Sequence, residues 1–179
     1  MNKDFRYDFY RNTGFEFKFN LKTLETLLFS HNIKFLSLLR KAQAKPSLFK
    51  KIRLKKYALK YGLEISSQAK IGKGLYLGHP YNITVSYLAT LGDNVNLHKG
   101  CTIGAENRGA RKGAPKIGNC VYVGINSTVI GNITIGDDVL IAPNSFVNFD
   151  VPAHSVVVGN PAKIHPKENA TDGYIAFRV

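Results

Sequence analysis

The 179-residue sequence has no tryptophan, one methionine and only two cysteines, Cys101 and Cys120. Two cysteines make neither a disulfide scaffold nor a metal cluster, so a reducing compartment is expected. Long apolar runs are missing too. No uninterrupted stretch approaches a membrane span, and MNKDFRYDFY lacks the apolar segment of a secretory signal. The expectation is a soluble, cytoplasmic protein. Acidic residues are scarce, 12 against 25 Lys and Arg, for a net charge of +13. The shortage is local. Residues 1–62 carry 15 Lys/Arg against 4 Asp/Glu, whereas residues 63–179 carry 10 against 8. A basic first third suits an anionic partner, such as a membrane surface or acidic polymer, or is simply a solvated helix face. It shows no aromatic RNA-binding motif or helix-turn-helix signature, so nucleic acid is not expected as a partner.

Residues 1–62 read as a basic α-helical region. LKTLETLLFSH and IKFLSLLRKAQA place apolar residues three and four apart. Pro46 suits the first turn of a further helix, PSLFKKIRLKKYALKY, and Gly62 its C-terminal cap. In that helix Leu48, Ile52, Tyr57 and Tyr61 are expected to face a core, with Lys50, Lys51, Arg53, Lys55, Lys56 and Lys60 facing out.

From residue 65 the period becomes six. Ile65, Ile71 and Leu77 are followed, after a two-residue slip, by Val85, Leu91, Leu97 and Ile103. After a longer interruption come Ile117, Val123, Val129, Ile135, Ile141 and Val147. Small or branched residues recur four positions later, as at Ala69, Ala89, Cys101, Val121, Ser127 and Ser145. This is the hexapeptide signature of a parallel β-helix, in which three short strands make one turn of a triangular prism and the apolar residue points inward. The predicted organisation is a helical region at 1–62, a mainly β prism at 63–165 and a tail at 166–179. Cys101 falls at an inward position, where a buried, inert thiol is expected. The Gly- and charge-rich interruption at 104–116, GAENRGARKGAPK, should project as a loop at a binding site.

In LGHPYN, Leu77 is inward and Gly78 turns the corner, so His79 should point out of the prism. Pro80 is expected to restrict His79 to an extended conformation and pre-set the imidazole. His31, His98, His154 and His165 are weaker candidates, and no histidine pair has the spacing of a metal site.

The stretch 64–165 resembles the hexapeptide-repeat acyltransferases, and within them the serine O-acetyltransferase and polysaccharide O-acetyltransferase branch. IGKGLYLGHPYNITVS, LGDNVNLHKGCTIG, PKIGNCVYVGINSTVIGNITIGDDVLIAPNSFV and DVPAHSVVVGNPAKI carry the likeness. It implies a left-handed β-helix and acetyl-CoA as co-substrate, with no metal. His79 then matches the catalytic base. Glu64, fifteen residues upstream, stands where a carboxylate orients that histidine. Gly124 and Ala142 would meet the pantetheine arm, and Lys163 a phosphate, in a groove between subunits of a homotrimer or a dimer of trimers. The chain departs from the serine enzymes at Gly78, where they carry aspartate, and at Gly113 and Ala114, where they carry an Arg-His pair. Arg108, Arg111 and Lys112 are the remaining candidates for holding an acceptor. These departures favour a sugar hydroxyl of a cell-surface polysaccharide over L-serine as acceptor, with serine as the alternative. A lipid-linked or membrane-associated glycan would suit the basic helices. A non-catalytic β-helix scaffold is the competing reading from another class.

Overall fold

The computed structural model describes residues 2–179. Four helices precede the prism: α1 (Lys3–Thr13), α2 (Leu21–Phe29), α3 (His31–Ala44) and α4 (Leu48–Tyr61). Local chemistry sets their ends. Asn2, Asn20 and Ser47 side chains accept N-terminal amides of α1, α2 and α4, and Gly62 closes α4 at φ +64°. Pro46 therefore lies just outside α4, before its Ser47 cap, rather than in its first turn.

Phe5, Phe9, Ile33, Phe35, Leu36 and Leu39 form the helical part of a core continuous with the prism. Phe9 meets Phe15 and Phe17 edge to face at 5.3 and 5.2 Å. Within this apolar layer, Arg40 of α3 pairs with Asp8 of α1 at 2.7 Å, both fully buried. Arg40 also donates to the carbonyls of Ile71 and Gly72, while Asp8 accepts the Leu75 amide. One ion pair thus joins two helices to the first coil.

The outward and inward faces of α4 differ from the expectation. Leu54 and Ala58 are buried, whereas Leu48, Phe49, Ile52 and Leu59 are exposed. The helix lies along the first coil with its 54/58 stripe, and residues 48, 52 and 59 fall on the opposite side. Tyr57 and Tyr61 are half-buried and pack against the core, as expected.

The prism has three parallel faces and about five coils. The first face stacks Glu64–Ile65, Thr84–Val85, Thr102–Gly104, Thr128–Ile130 and Phe146–Val147. The second stacks Lys70–Ile71, Thr90–Leu91, Lys116–Ile117 and Thr134–Ile135. The third stacks Tyr76–Gly78, Asn96–His98, Tyr122–Val123, Val139–Ile141 and Ser155–Gly159. Every residue of the six-residue series is buried except Ile71, which is partly buried in the first, terminal coil. The small positions four residues later are buried with them, Cys101 included, and burial pushes its thiol up to about 12. The register is physical: equivalent residues stack, as in Leu77↔Leu97↔Val123 and Val85↔Ile103↔Val129. A slipped hexad would therefore expose its apolar residue.

Ala162–Pro166 turns back antiparallel on Ser155–Gly159 and ends the third face. The tail then returns across that face. Asp138 accepts from the Ala170 and Thr171 amides and the Thr171 hydroxyl, and meets His154 Nδ1 at 2.9 Å. Asn94 and Asn96 bond the Val179 and Tyr174 backbone, and buried Arg11 of α1 bonds the Ala176 carbonyl. Partial burial pushes the Asp138 carboxyl up, but Thr171, His154 and the backbone amides outweigh it and hold the pKa at about 2. His154 is raised by Asp138 and then Glu168. A lowered carboxylate stabilises the fold above its unfolded pKa near 4 and loses that contribution as pH falls towards 2. A raised histidine contributes fully below about 6.5 and less above it. Protection of residues 166–179 from proteolysis should therefore be greatest between about pH 4 and 6.5. A flat profile from pH 3 to 8 would refute this anchor.

Candidate active site

The two-residue slip is where the prism makes its site. Lys99 N donates to Gly78 O and Gly100 N to Tyr81 O, so Gly78 and Tyr81 are both in register with the next coil. His79 and Pro80 are the two extra residues, bulging from the edge between the third and first faces. Tyr81 N returns to His79 O at 2.7 Å, a three-residue turn centred on Pro80. His79 is exposed and Pro80 buried. The expected extended conformation of His79 is corrected: its φ is +48°. Proline disfavours right-handed helix before it, but returning to register within two residues forces the left-handed region instead. For histidine this is strained by the order of 1–2 kcal/mol.

The same edge gathers three other predicted residues. Strand pairing aligns Gly78 with His98, Leu97 with Val123, Val123 with Ile141 and Ile141 with Val157. The next positions therefore form one column: Gly78, His98, Gly124, Ala142, Val158. Val158 pairs in turn with Lys163. At strand spacing the column is roughly 19 Å long. At Gly124 a Cβ would come within 2.6 Å of Pro143 N, so glycine is what lets the coils close here. Gly124 and Ala142 both use their amides between coils, donating to Ile141 O and Val157 O. Lys163 is exposed at the far end.

Glu64 opens the first face opposite Thr84, at the edge where His79 bulges out. Its exposed side chain lines a groove of about 430 Å³ with Lys51, Leu54, Lys55 and Ala58. Among the described residues Glu64 makes no hydrogen bond to His79. Arg108, Arg111 and Lys112 lie elsewhere, on the loop between the first and second faces. That loop is a small hairpin with Glu106 and Gly113 paired, Arg111 bridged to Glu106 at 3.3 Å and the Arg111 carbonyl taking the Asn132 amide. Within one chain these cations and His79 occupy different prism edges.

Two features beside His79 were not legible in the sequence. His98 lies between Tyr76 and Tyr122, with ring centroids 5.9 and 4.5 Å away. Burial, and then the neighbouring His79, lower its pKa, and its Nε2 is buried without a partner among the described residues. A Cβ on Gly78 would run into this ring. Gly78→Asp is therefore expected to destabilise the chain by about 1–3 kcal/mol, with much of the loss recovered by His98→Ala. Thermal unfolding checks both, and an undisturbed single mutant would show that His98 can move aside freely. The second feature is an aromatic wall. His31 stacks on Tyr61 at 4.7 Å and lies 5.1 Å from Tyr81, two residues after His79, while Tyr57 adjoins Tyr61. Helices α3 and α4 supply three of its four rings, so only the tertiary fold assembles it.

Repeat, prism and edge column together define a hexapeptide-repeat protein of the left-handed β-helix class. The family model described as bacterial transferase hexapeptide (six repeats) matches residues 114–148. Relatives of this chain include serine acetyltransferases. It is 38% identical over 107 residues to that of Helicobacter pylori, covering 60% of this chain and 63% of the relative. It is 38% identical over 104 residues to serine acetyltransferase 2 of Arabidopsis thaliana, covering 58% and 32%. The solved serine acetyltransferase of Neisseria gonorrhoeae in complex with serine superposes with a TM-score of 0.74 at 28% identity, over 91% of this chain and 68% of that one. The chain spans less than two thirds of these curated relatives.

Proposed function

We propose that this chain is an O-acetyltransferase moving acetyl from acetyl-CoA to a hydroxyl by direct attack. The observation that carries this reading is the edge column, which puts Gly124, Ala142 and Lys163 on one line with the strained His79 bulge. Acetyl-CoA would lie along it, its arm against Gly124 and Ala142 and a phosphate near Lys163. His79, as neutral imidazole, takes the acceptor proton while the hydroxyl oxygen bonds to the thioester carbonyl carbon. The C–S bond breaks, and the same proton passes from His79 to the leaving sulfur. Glu64 is the carboxylate available to orient His79 once substrates close the site.

The names of the relatives point to L-serine as acceptor, ahead of the polysaccharide hydroxyl that the sequence departures suggested. One observation keeps a sugar hydroxyl as the second reading. The space beside Gly78 is filled by the ring of His98, whose pKa is lowered, so no carboxylate stands there to hold an ammonium group. A homotrimer would complete the site. Tyr87 and Leu88 are exposed on the loop-bearing edge, and Ile125 and Val158 on the His79 edge. Joining these unlike edges closes a ring and sets one copy's Arg108, Arg111 and Lys112 beside the next copy's His79.

Release of free thiol from acetyl-CoA, with L-serine and with saccharides offered separately, tests the proposal. Release with serine assigns cysteine synthesis, and release with a saccharide alone assigns the second reading. No release with any acceptor, together with no CoA binding, would leave a scaffold.

A further inference from the structure

The helical region leaves two apolar faces without a partner. Helix α2 turns Thr23 and Leu27 inward and leaves Leu21, Leu24 and Leu28, one stripe at helical spacing, in solvent. Phe19 and Phe29 flank it at 91% and 81% exposure. Helix α4 exposes Leu48 and Phe49, at 76% and 68%, with Ile52 and Leu59. Both helices pack on α3. Exposed apolar side chains on this scale mark a contact surface rather than ordinary scatter.

Charge selects the contact. Residues 45–60 hold Lys45, Lys50, Lys51, Arg53, Lys55, Lys56 and Lys60 and no acidic residue. Two copies meeting through α4 would set its cations against their like, with no acidic residue in 45–60 to offset them. A nucleic acid would reward the cations but gain nothing from leucine and isoleucine stripes. An anionic bilayer rewards both, because acidic headgroups attract the lysines while apolar side chains enter the boundary beneath them. Among the described residues no helix is long and apolar enough to cross a membrane, and the contact proposed is with a surface.

We propose that the exposed face of α4 docks on an anionic lipid bilayer. Leu48 and Phe49 enter the headgroup boundary, and the cations of α4 hold the acidic headgroups. This inference does not depend on the acetyl-transfer reading.

Flotation of the full chain with vesicles tests it. The chain should float with vesicles containing phosphatidylglycerol, not with phosphatidylcholine alone, and high salt should release it. Leu48→Ser with Phe49→Ser, and separately Arg53→Glu with Lys56→Glu, should each lower the bound-to-free ratio about tenfold or more. All four positions are exposed, so the unfolding midpoint should not move. The proposal would be overturned by no flotation with anionic vesicles, by flotation of both variants like the wild type, or by a smaller assembly in the Leu48/Phe49 variant, which would assign the face to a second copy. Duplex DNA binding without flotation would give the charge to nucleic acid and overturn it too.

Discussion

Arg40→Ala is expected to destabilise the chain by about 3–5 kcal/mol, the largest single stability loss the structure implies. The guanidinium is fully buried, pairs with Asp8 and caps two carbonyls of the first coil. Removing it leaves Asp8 without its counter-charge in an apolar layer, where burial already pushes its carboxyl pKa up, and orphans the Ile71 and Gly72 carbonyls. Asp8→Ala should cost nearly as much, because it strands Arg40 and frees the Leu75 amide. The double variant should cost clearly less than the two losses added, since neither charge is then left alone. Denaturant unfolding of the three proteins checks this. A loss under about 1 kcal/mol for Arg40→Ala would mean that water reaches the pair and that the helices are not fastened to the prism through it.

His79→Asn is expected to lower the acetyl-transfer rate by about 10²–10⁴-fold, the usual contribution of a positioned base. The folded chain should lose nothing. Asparagine tolerates the left-handed region better than most residues, so the φ of +48° costs it no more than it costs histidine. Activity and stability should thus separate, whereas Arg40→Ala acts on stability. A rate within a few-fold of wild type would remove His79 from the chemistry. A lower unfolding midpoint would show that the imidazole braces the bulge.

The prism was legible because a six-residue register is enforced by stacking: one apolar residue per strand must meet its equivalent a coil away. The two-residue slip was legible as an interruption, and with it the exposure of His79. Its conformation was not, because Pro80 excludes right-handed helix but does not choose between extended and left-handed backbone. Closure at Tyr81 chooses. The edge column needed the faces first: Gly78, Gly124 and Ala142 are far apart in sequence and become neighbours only through strand pairing. Helix α4 misled because its apolar residues fit two stripes, 48/52/59 and 54/58, and nothing local says which one meets the first coil. The Gly78–His98 fit, the His31–Tyr61–Tyr81 wall and the tail's return to Asn94 and Arg11 are all long-range contacts, without a periodic signal.

The measurement that tests the central claim most directly is backbone hydrogen exchange with and without saturating CoA, which needs no knowledge of the acceptor. Slower exchange should appear in peptides spanning 98–100, 124–126, 142–144 and 158–163, the edge column, with the His79 bulge at its end. Protection confined to the 51–68 groove, or no protection at all, would contradict the placement of acetyl-CoA on this edge and with it the role assigned to His79.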